Sequence, residues 1–121
     1  MDKIVLSGMR IYGFHGVYPI ENELGRYFEV DAELFLPLDN AAAADDLKQT
    51  VNYAEVFDLV KTEFTRETYK LIETAAVRLA HAVLSRFPVE KVVIRVRKPK
   101  PPLEGDMDYA AVEVERSRQD V

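Results

Sequence analysis

The chain has 121 residues, 48% hydrophobic and 31% charged, with no cysteine and a net charge of −5 at neutral pH. A chain of this size can bury about two-thirds of its unfolded surface in one core, so no staple is required, and its composition is that of an ordinary globular protein. The missing cysteines exclude disulfides, thiolate chemistry and cysteine-ligated metal sites, and the acidic balance argues against a nucleic-acid binder. No apolar run approaches the roughly 20 residues of a membrane span, and Met1-Asp2-Lys3-Ile4 does not open a signal peptide, so a single soluble, cytoplasmic domain over residues 1–121 is expected.

Residues Lys3 to Phe14 are alternating and β-rich and end in the turn signal Gly13-Phe14-His15-Gly16. Arg26 to Leu36 alternates more cleanly. Phe28, Val30, Ala32 and Leu34 form one face and Glu29, Asp31 and Glu33 the other, the pattern of a half-buried antiparallel strand. Pro37 to Asp46 reads as a loop, or at most one helical turn of alanines. Asn52-Tyr53-Ala54-Glu55 has capping-box spacing, in which Asn52 accepts from the third helical amide and Glu55 reaches back. Val56, Val60 and Phe64, with Phe57 beside them, then mark an amphipathic helix of about three turns. A second helix carries two ridges, Leu71-Ala75-Leu79-Val83-Phe87 and Ile72-Ala76-Ala80-Leu84, and stops at Pro88. Glu90 to Lys98 and Met107 to Arg116 are the last two strands, joined by a turn rich in proline and glycine.

The order β-β-α-α-β-β implies an α+β fold, one four-stranded antiparallel sheet with two helices packed on one face. There is no internal repeat or linker. Such a sheet has two unpaired edges, and self-association that joins sheets edge to edge is expected; a ring is one geometry that closes.

Polar residues gather at the ends of elements. Lys98 continues the apolar row Val92, Ile94, Val96, while Arg95 and Arg97 point the other way by strand parity. A lysine there either snorkels to the surface or is a chemical group. The basic cluster Arg95, Arg97, Lys98 and Lys100 faces Glu113 and Glu115 if the last strands pair, so cross-strand ion pairs account for it. Tyr53, at the first helical position, either packs on the sheet or offers its phenol as a proton donor. Glu73 lies in the first turn of the second helix, where the helix dipole favours a carboxylate. Its neighbours Leu71, Ile72, Ala75 and Ala76 are apolar, so the ion needs a donor, and two parallel N–H groups of a ligand would suit it. Glu21 reads as a loop acid. His15 and His81 lack a second histidine or a carboxylate at ligand spacing and read as structural. No zinc signature, phosphate-cradling glycine loop or nucleophile elbow is present, so no metal or cofactor is called for.

In one register, the segments Gly8-Met9-Arg10-Ile11-Tyr12-Gly13-Phe14-His15-Gly16-Val17, Glu21-Asn22-Glu23-Leu24-Gly25, Thr50-Val51-Asn52-Tyr53-Ala54-Glu55-Val56, Leu71-Ile72-Glu73 and Lys98 with Pro101-Pro102 resemble the dihydroneopterin aldolase family of folate biosynthesis. The resemblance implies the tunnelling fold, in which β-β-α-α-β-β subunits join their sheets into a tetrameric ring and two rings stack into an octamer. It implies active sites at subunit interfaces, with no metal or other cofactor and a small-molecule pterin as partner. The family's catalytic roles fall on Lys98, Tyr53 and Glu21. Substrate-binding roles fall on Glu73, Ile72, Leu71, Val51 and Asn52. Where the family commonly continues after Pro101-Pro102 with a hydrophobic residue and Pro-Gly-His-Tyr, this chain has Leu103-Glu104-Gly105-Asp106-Met107, the same length with three changes.

The implied reaction removes glycolaldehyde from the trihydroxypropyl chain of 7,8-dihydroneopterin and leaves 6-hydroxymethyl-7,8-dihydropterin. An ordinary aldolase needs a lysine Schiff base or a metal as electron sink, but here the ring's own C6=N5 imine can serve. The resemblance then makes Glu73 the anchor of the pterin 2-amino group and N3–H, with backbone near Val51 and Ile72 adding bonds. Lys98 relays the 2′-hydroxyl proton, Tyr53 helps reprotonate the enamine carbon, and Glu21 positions Lys98, the side chain or a water. Two rival readings use the same residues differently: a 2′-epimerase acting on dihydroneopterin or its triphosphate, and a non-catalytic pterin-binding protein of the same fold.

Overall fold

A computed structural model describes residues 1–121. Strand β1 (Lys3–Gly13) is followed by a short helix α1 (Pro19–Leu24), strand β2 (Arg26–Phe35), a short helix α2 (Asp39–Ala44), helices α3 (Tyr53–Arg66) and α4 (Ile72–Arg86), and strands β3 (Lys91–Pro99) and β4 (Tyr109–Ser117). The four strands form one antiparallel sheet in the order β1-β2-β3-β4. β1 and β4 are therefore its two open edges.

The expected alternation fixes the sheet's two faces. Phe28, Val30, Ala32 and Leu34 are fully buried, as are Val92, Ile94 and Val96 beside them, with Val30 paired to Val96 and Ala32 to Ile94. Helices α3 and α4 cover this face through Val56, Val60 and Phe64 and through Ala76, Leu79, Ala80, Val83 and Leu84. Each side chain the size of Phe28 or Leu34 contributes about 1.5–3 kcal/mol on burial, and the stripes of both helices point inward because their apolar residues recur every three to four positions.

The opposite face is polar. Glu115 is taken at 3.7 Å by Lys91, which lies outside the expected cluster, whereas Arg95 pairs with Glu113 at 2.7 Å, the cross-strand pairing expected. The other three basic residues depart from it. Arg97 turns to β2, reaching Asp31 at 2.9 Å and Glu29 at 3.2 Å, because its β2 neighbour is Glu29 and its β4 neighbour is Ala111. Lys100 pairs with Asp106, and Lys98 points to the core side.

Several local expectations are corrected. Glu21 is on a helix, not in a loop: Pro19 pre-sets φ for the first turn, and the Tyr18 N–H donates to Glu21 Oε1 at 3.2 Å. Six residues are too few to show a helical period, which is why the pattern was silent there. Asp39–Ala44, four of them alanines, form six helical residues, closed by Asp45 in the left-handed region at φ 51°. Asn52 caps α3 by accepting from Ala54, the second helical amide, at 3.0 Å, rather than from the third. β1 is interrupted between Leu6 and Met9 by a bulge, where Gly8 has φ 71° and its N–H donates to Asp31 Oδ1 at 2.7 Å. β4 begins at Tyr109 rather than Met107, since the turn is closed further along by the Lys100 N–H donating to the Asp108 carbonyl at 2.9 Å.

Candidate active site

Lys98 sits where strand parity places it. Its side chain is on the core face at the end of β3, its Nζ lies 5.9 Å from the centre of the Phe28 ring, and only 14% of the side chain is exposed. A lysine in that position needs an anion, and α1 supplies one. Glu21 Oε2 accepts from Lys98 Nζ at 2.7 Å, with the glutamate side chain 8% exposed. Burial, the largest single influence on Glu21, pushes its carboxyl up. The Lys98 and Tyr18 hydrogen bonds and the charges of Lys98 and Arg26 together outweigh it and hold Glu21 below the ordinary carboxylate range. Glu21 is thus a carboxylate at neutral pH, fixed at both oxygens. A pair this buried stays intact because removing one partner leaves the other charge stranded.

Helix α1 is in turn fastened to the end of β1. The Asn22 Nδ2 amide donates to the Phe14 and Gly16 carbonyls at 2.8 and 3.0 Å. Gly16, at φ 152°, lies against the Glu21 carboxylate so closely that a Cβ there would come within 2.5 Å of it. Gly16 thus bears directly on Glu21, a contact that sequence reading did not single out; its only signal was the glycine flanking a histidine.

Beside the pair opens a cleft of about 360 Å³ whose walls include Val17, Tyr18, Glu21, Leu71, Ile72, Glu73 and Lys98, with Pro101, Pro102 and Leu103 at its lip. Glu73 is exposed and makes no ion pair within the chain. The start of α4 has no side-chain cap because its N-cap is Leu71. A carboxylate acceptor and unspent helical N–H donors therefore face the same cleft, and a flat heterocycle with adjacent donors and acceptors fits such an array. The departing segment Leu103–Met107 does not hold Lys98, whose partner is Glu21; it belongs to a turn stapled by Lys100 to Asp106 at 3.3 Å.

The other expected residues lie elsewhere. Tyr53 is 65% exposed, so it does not pack on the sheet, and with Val51 and Asn52 it borders a hollow of about 610 Å³ that also includes Ile4 and Leu38. Val51 and Asn52 also border a hollow of about 710 Å³ between α3 and the C-terminal end of α4. Lys98, Glu21, Glu73, Leu71 and Ile72 are brought together; Tyr53, Val51 and Asn52 are not brought to them. The two groups occupy diagonal corners of the sheet. One is by the end of β3 and the start of β4, where Lys98 pairs with Ala110, and the other is by the start of β1 at Ile4. No three histidine, aspartate or glutamate side chains converge as a metal site, and no helix is long and apolar enough to cross a membrane.

Residues 4–115 match the family model for dihydroneopterin aldolase. The chain belongs to the dihydroneopterin aldolase family. It is 44% identical to the dihydroneopterin aldolase of Bacillus subtilis over 98% of its own length and 99% of that protein's. It is 40% identical to that of Streptococcus pyogenes serotype M1, covering 98% and 100%. Among solved structures, the Escherichia coli dihydroneopterin aldolase in complex with neopterin superposes with a TM-score of 0.89 at 25% identity, over 97% of this chain and 100% of that one. The likeness spans the whole sheet and both long helices, so family membership and fold rest on the same residues.

Proposed function

We propose that this family member cleaves 7,8-dihydroneopterin by retro-aldol reaction to glycolaldehyde and 6-hydroxymethyl-7,8-dihydropterin, in sites each completed by a neighbouring subunit. The observation that carries the reading is the buried Lys98–Glu21 pair at 2.7 Å in a cleft that also holds the unpaired Glu73.

Glu73 accepts from the pterin 2-amino group and N3–H, and the uncapped amides at the start of α4 bind the ring's acceptors. Lys98, once its ammonium has passed a proton to solvent, takes the 2′-hydroxyl proton through a water. The C1′–C2′ bond then breaks as C2′=O forms, its electron pair passes into the C6=N5 imine, and N5 takes up a proton from solvent to give an enamine. N5 gives that proton back when C1′ is protonated. Glu21 holds the ammonium so formed in the observed contact. Tyr53 of the neighbouring chain helps return a proton to C1′. Edge-to-edge joining of β1 and β4 supports this arrangement, because the two corners are diagonal and closing a sheet into a barrel staggers its strands. A tetrameric ring, with two rings stacked, is the assembly this reading requires. The 2′-epimerase would use the same groups, since re-addition to the other face inverts the carbon; the comparisons favour cleavage.

The test is an anaerobic incubation of the protein with 7,8-dihydroneopterin and EDTA, products separated by chromatography, with Lys98→Ala alongside. Cleavage by the unaltered chain is expected, with a loss of about 100-fold or more in Lys98→Ala, the scale of general acid–base catalysis. More than about a tenth of turnover surviving in Lys98→Ala would remove Lys98 as the base. An epimer in place of cleavage products would make the chain an epimerase.

A further inference from the structure

His15 is the one buried polar residue of the core, 1% exposed, and the reaction above makes no use of it. Both its ring nitrogens are engaged. The Tyr69 N–H donates to Nδ1 at 3.0 Å, so Nδ1 carries no proton, and Nε2–H donates to the Phe64 carbonyl at 2.8 Å. These two bonds fix the neutral ring and its tautomer. The ring stacks on Tyr69 at 5.1 Å and meets Phe64 edge-on at 4.5 Å. Next along the chain, the Gly16 N–H donates to the Tyr69 carbonyl at 3.0 Å, while Gly16 itself bears on the Glu21 carboxylate. The segment Leu71–Glu73 begins two residues beyond Tyr69.

We infer that His15 is a positioning residue: with Gly16 it ties the Leu71–Glu73 segment to the Glu21–Lys98 pair and so sets where the bound ring sits relative to the base. The inference rests on Leu71–Glu73 being the ring anchor. A proton on Nδ1 turns an acceptor into a donor facing the Tyr69 N–H, and the tie to the anchor opens. Lys98 on β3 is the charged group acting on the imidazole; β2 presents Phe28, α3 a carbonyl, and the Tyr69 segment a neutral phenol. Burial, the Lys98 charge and the Tyr69 bond all oppose that proton, and the Phe64 carbonyl favours it less strongly than burial resists it.

Two variants separate positioning from packing, since each loses the ring but keeps one bond. Asparagine places an acceptor where Nδ1 stands, and glutamine places a donor where Nε2 stands. KM and kcat for 7,8-dihydroneopterin are measured from about pH 8 down to the acid limit of the fold, because burial moves the titration of His15 below the ordinary histidine range. His15→Asn should hold KM near the unaltered value at neutral pH. His15→Gln should raise KM by about fivefold or more with a smaller change in kcat, because losing an anchor weakens ground state and transition state alike. The unaltered chain should show KM rising toward acid more steeply than His15→Asn does. Equal KM for the two variants, or the same acid limb in the unaltered chain and His15→Asn, overturns the inference. Should neither variant fold, the 15N shifts of the unaltered protein decide it, and a proton found on Nδ1 at neutral pH overturns it. Absence of turnover by the unaltered chain would instead sink the aldolase reading.

Discussion

At one corner of the sheet Lys98 and Glu21 hold each other, almost buried, under a helix fastened by Asn22 and Gly16. At the diagonal corner Tyr53 stands 65% exposed at the start of α3, its hydroxyl without a partner in the chain. The first corner is pre-organised by its own chain and the second waits for something to cover it. A charged pair must be desolvated to be positioned, and a single chain can do that by burying both partners. In the proposed assembly a phenol needs only to be aimed, which an adjacent subunit would accomplish on docking. The division of labour therefore follows from the chemistry of each group.

Mixed assemblies are the strongest way to break that comparison. Lys98→Ala and Tyr53→Phe chains, each making little 6-hydroxymethyl product alone, should regain it when co-expressed and co-purified. With random mixing about a quarter of interfaces join an intact Lys98 to an intact Tyr53, and recovery toward that fraction is expected. No recovery beyond the sum of the two parents would mean that each chain builds its own site. Within Tyr53→Phe alone, glycolaldehyde release should outlast product protonation; equal loss of both would deny the tyrosine its late role.

The sheet and the two long helices were legible because periodicity reports burial directly. Phe28 to Leu34 and Val92 to Val96 alternate as they pack, and Lys98 was placed on the core side by parity alone. Its partner was not legible in the residues themselves; only the family resemblance offered Glu21, with positioning Lys98 as one of three roles. Glu21 lies 77 residues away on a six-residue helix that has no apolar period, and nothing local marks such a pairing. His15 was read as structural for want of a second metal ligand, whereas both its partners are backbone groups, which carry no residue identity. The separation of Tyr53 from Lys98 was beyond pattern reading for a related reason: an N-cap says where a helix begins, not which corner of the sheet it begins at.

Gly16 offers a finer cut at the pre-organised corner. Alanine there meets both a backbone at φ 152° and a Cβ position 2.5 Å from the Glu21 carboxylate, so Glu21 has to move. Gly16→Ala should lower turnover by about tenfold to 100-fold through misplacement of the Lys98 pair, with a stability loss of about 1–3 kcal/mol from backbone strain. Gly105 is the control. Its φ of 128° makes alanine equally unwelcome to the backbone, but no atom lies within 4 Å of the added Cβ. Gly105→Ala should cost stability and leave turnover close to the unaltered level. Similar turnover in the two variants would mean that the contact with Glu21 is incidental.

The gentlest probe of the same corner is pH. His15 has its folded pKa below the ordinary 6.5, chiefly through burial, and Glu21 has its own below the ordinary 4.5 despite burial, through Lys98, Tyr18 and Arg26. For each group the unfolded chain binds its proton first as pH falls, so the stability each contributes is complete above the ordinary value and drains away below it. The two windows do not coincide. The His15 loss begins near 6.5 and continues as pH falls through its folded value, whereas the Glu21 loss begins only near 4.5. Denaturant midpoints taken in small pH steps should therefore slope downward below about pH 6.5 in the unaltered chain and run flatter in His15→Asn until the carboxylates titrate. A slope unchanged by removing the imidazole would mean that the ring is not held neutral by the fold, and the ordered corner would then owe its rigidity to the Lys98–Glu21 pair alone.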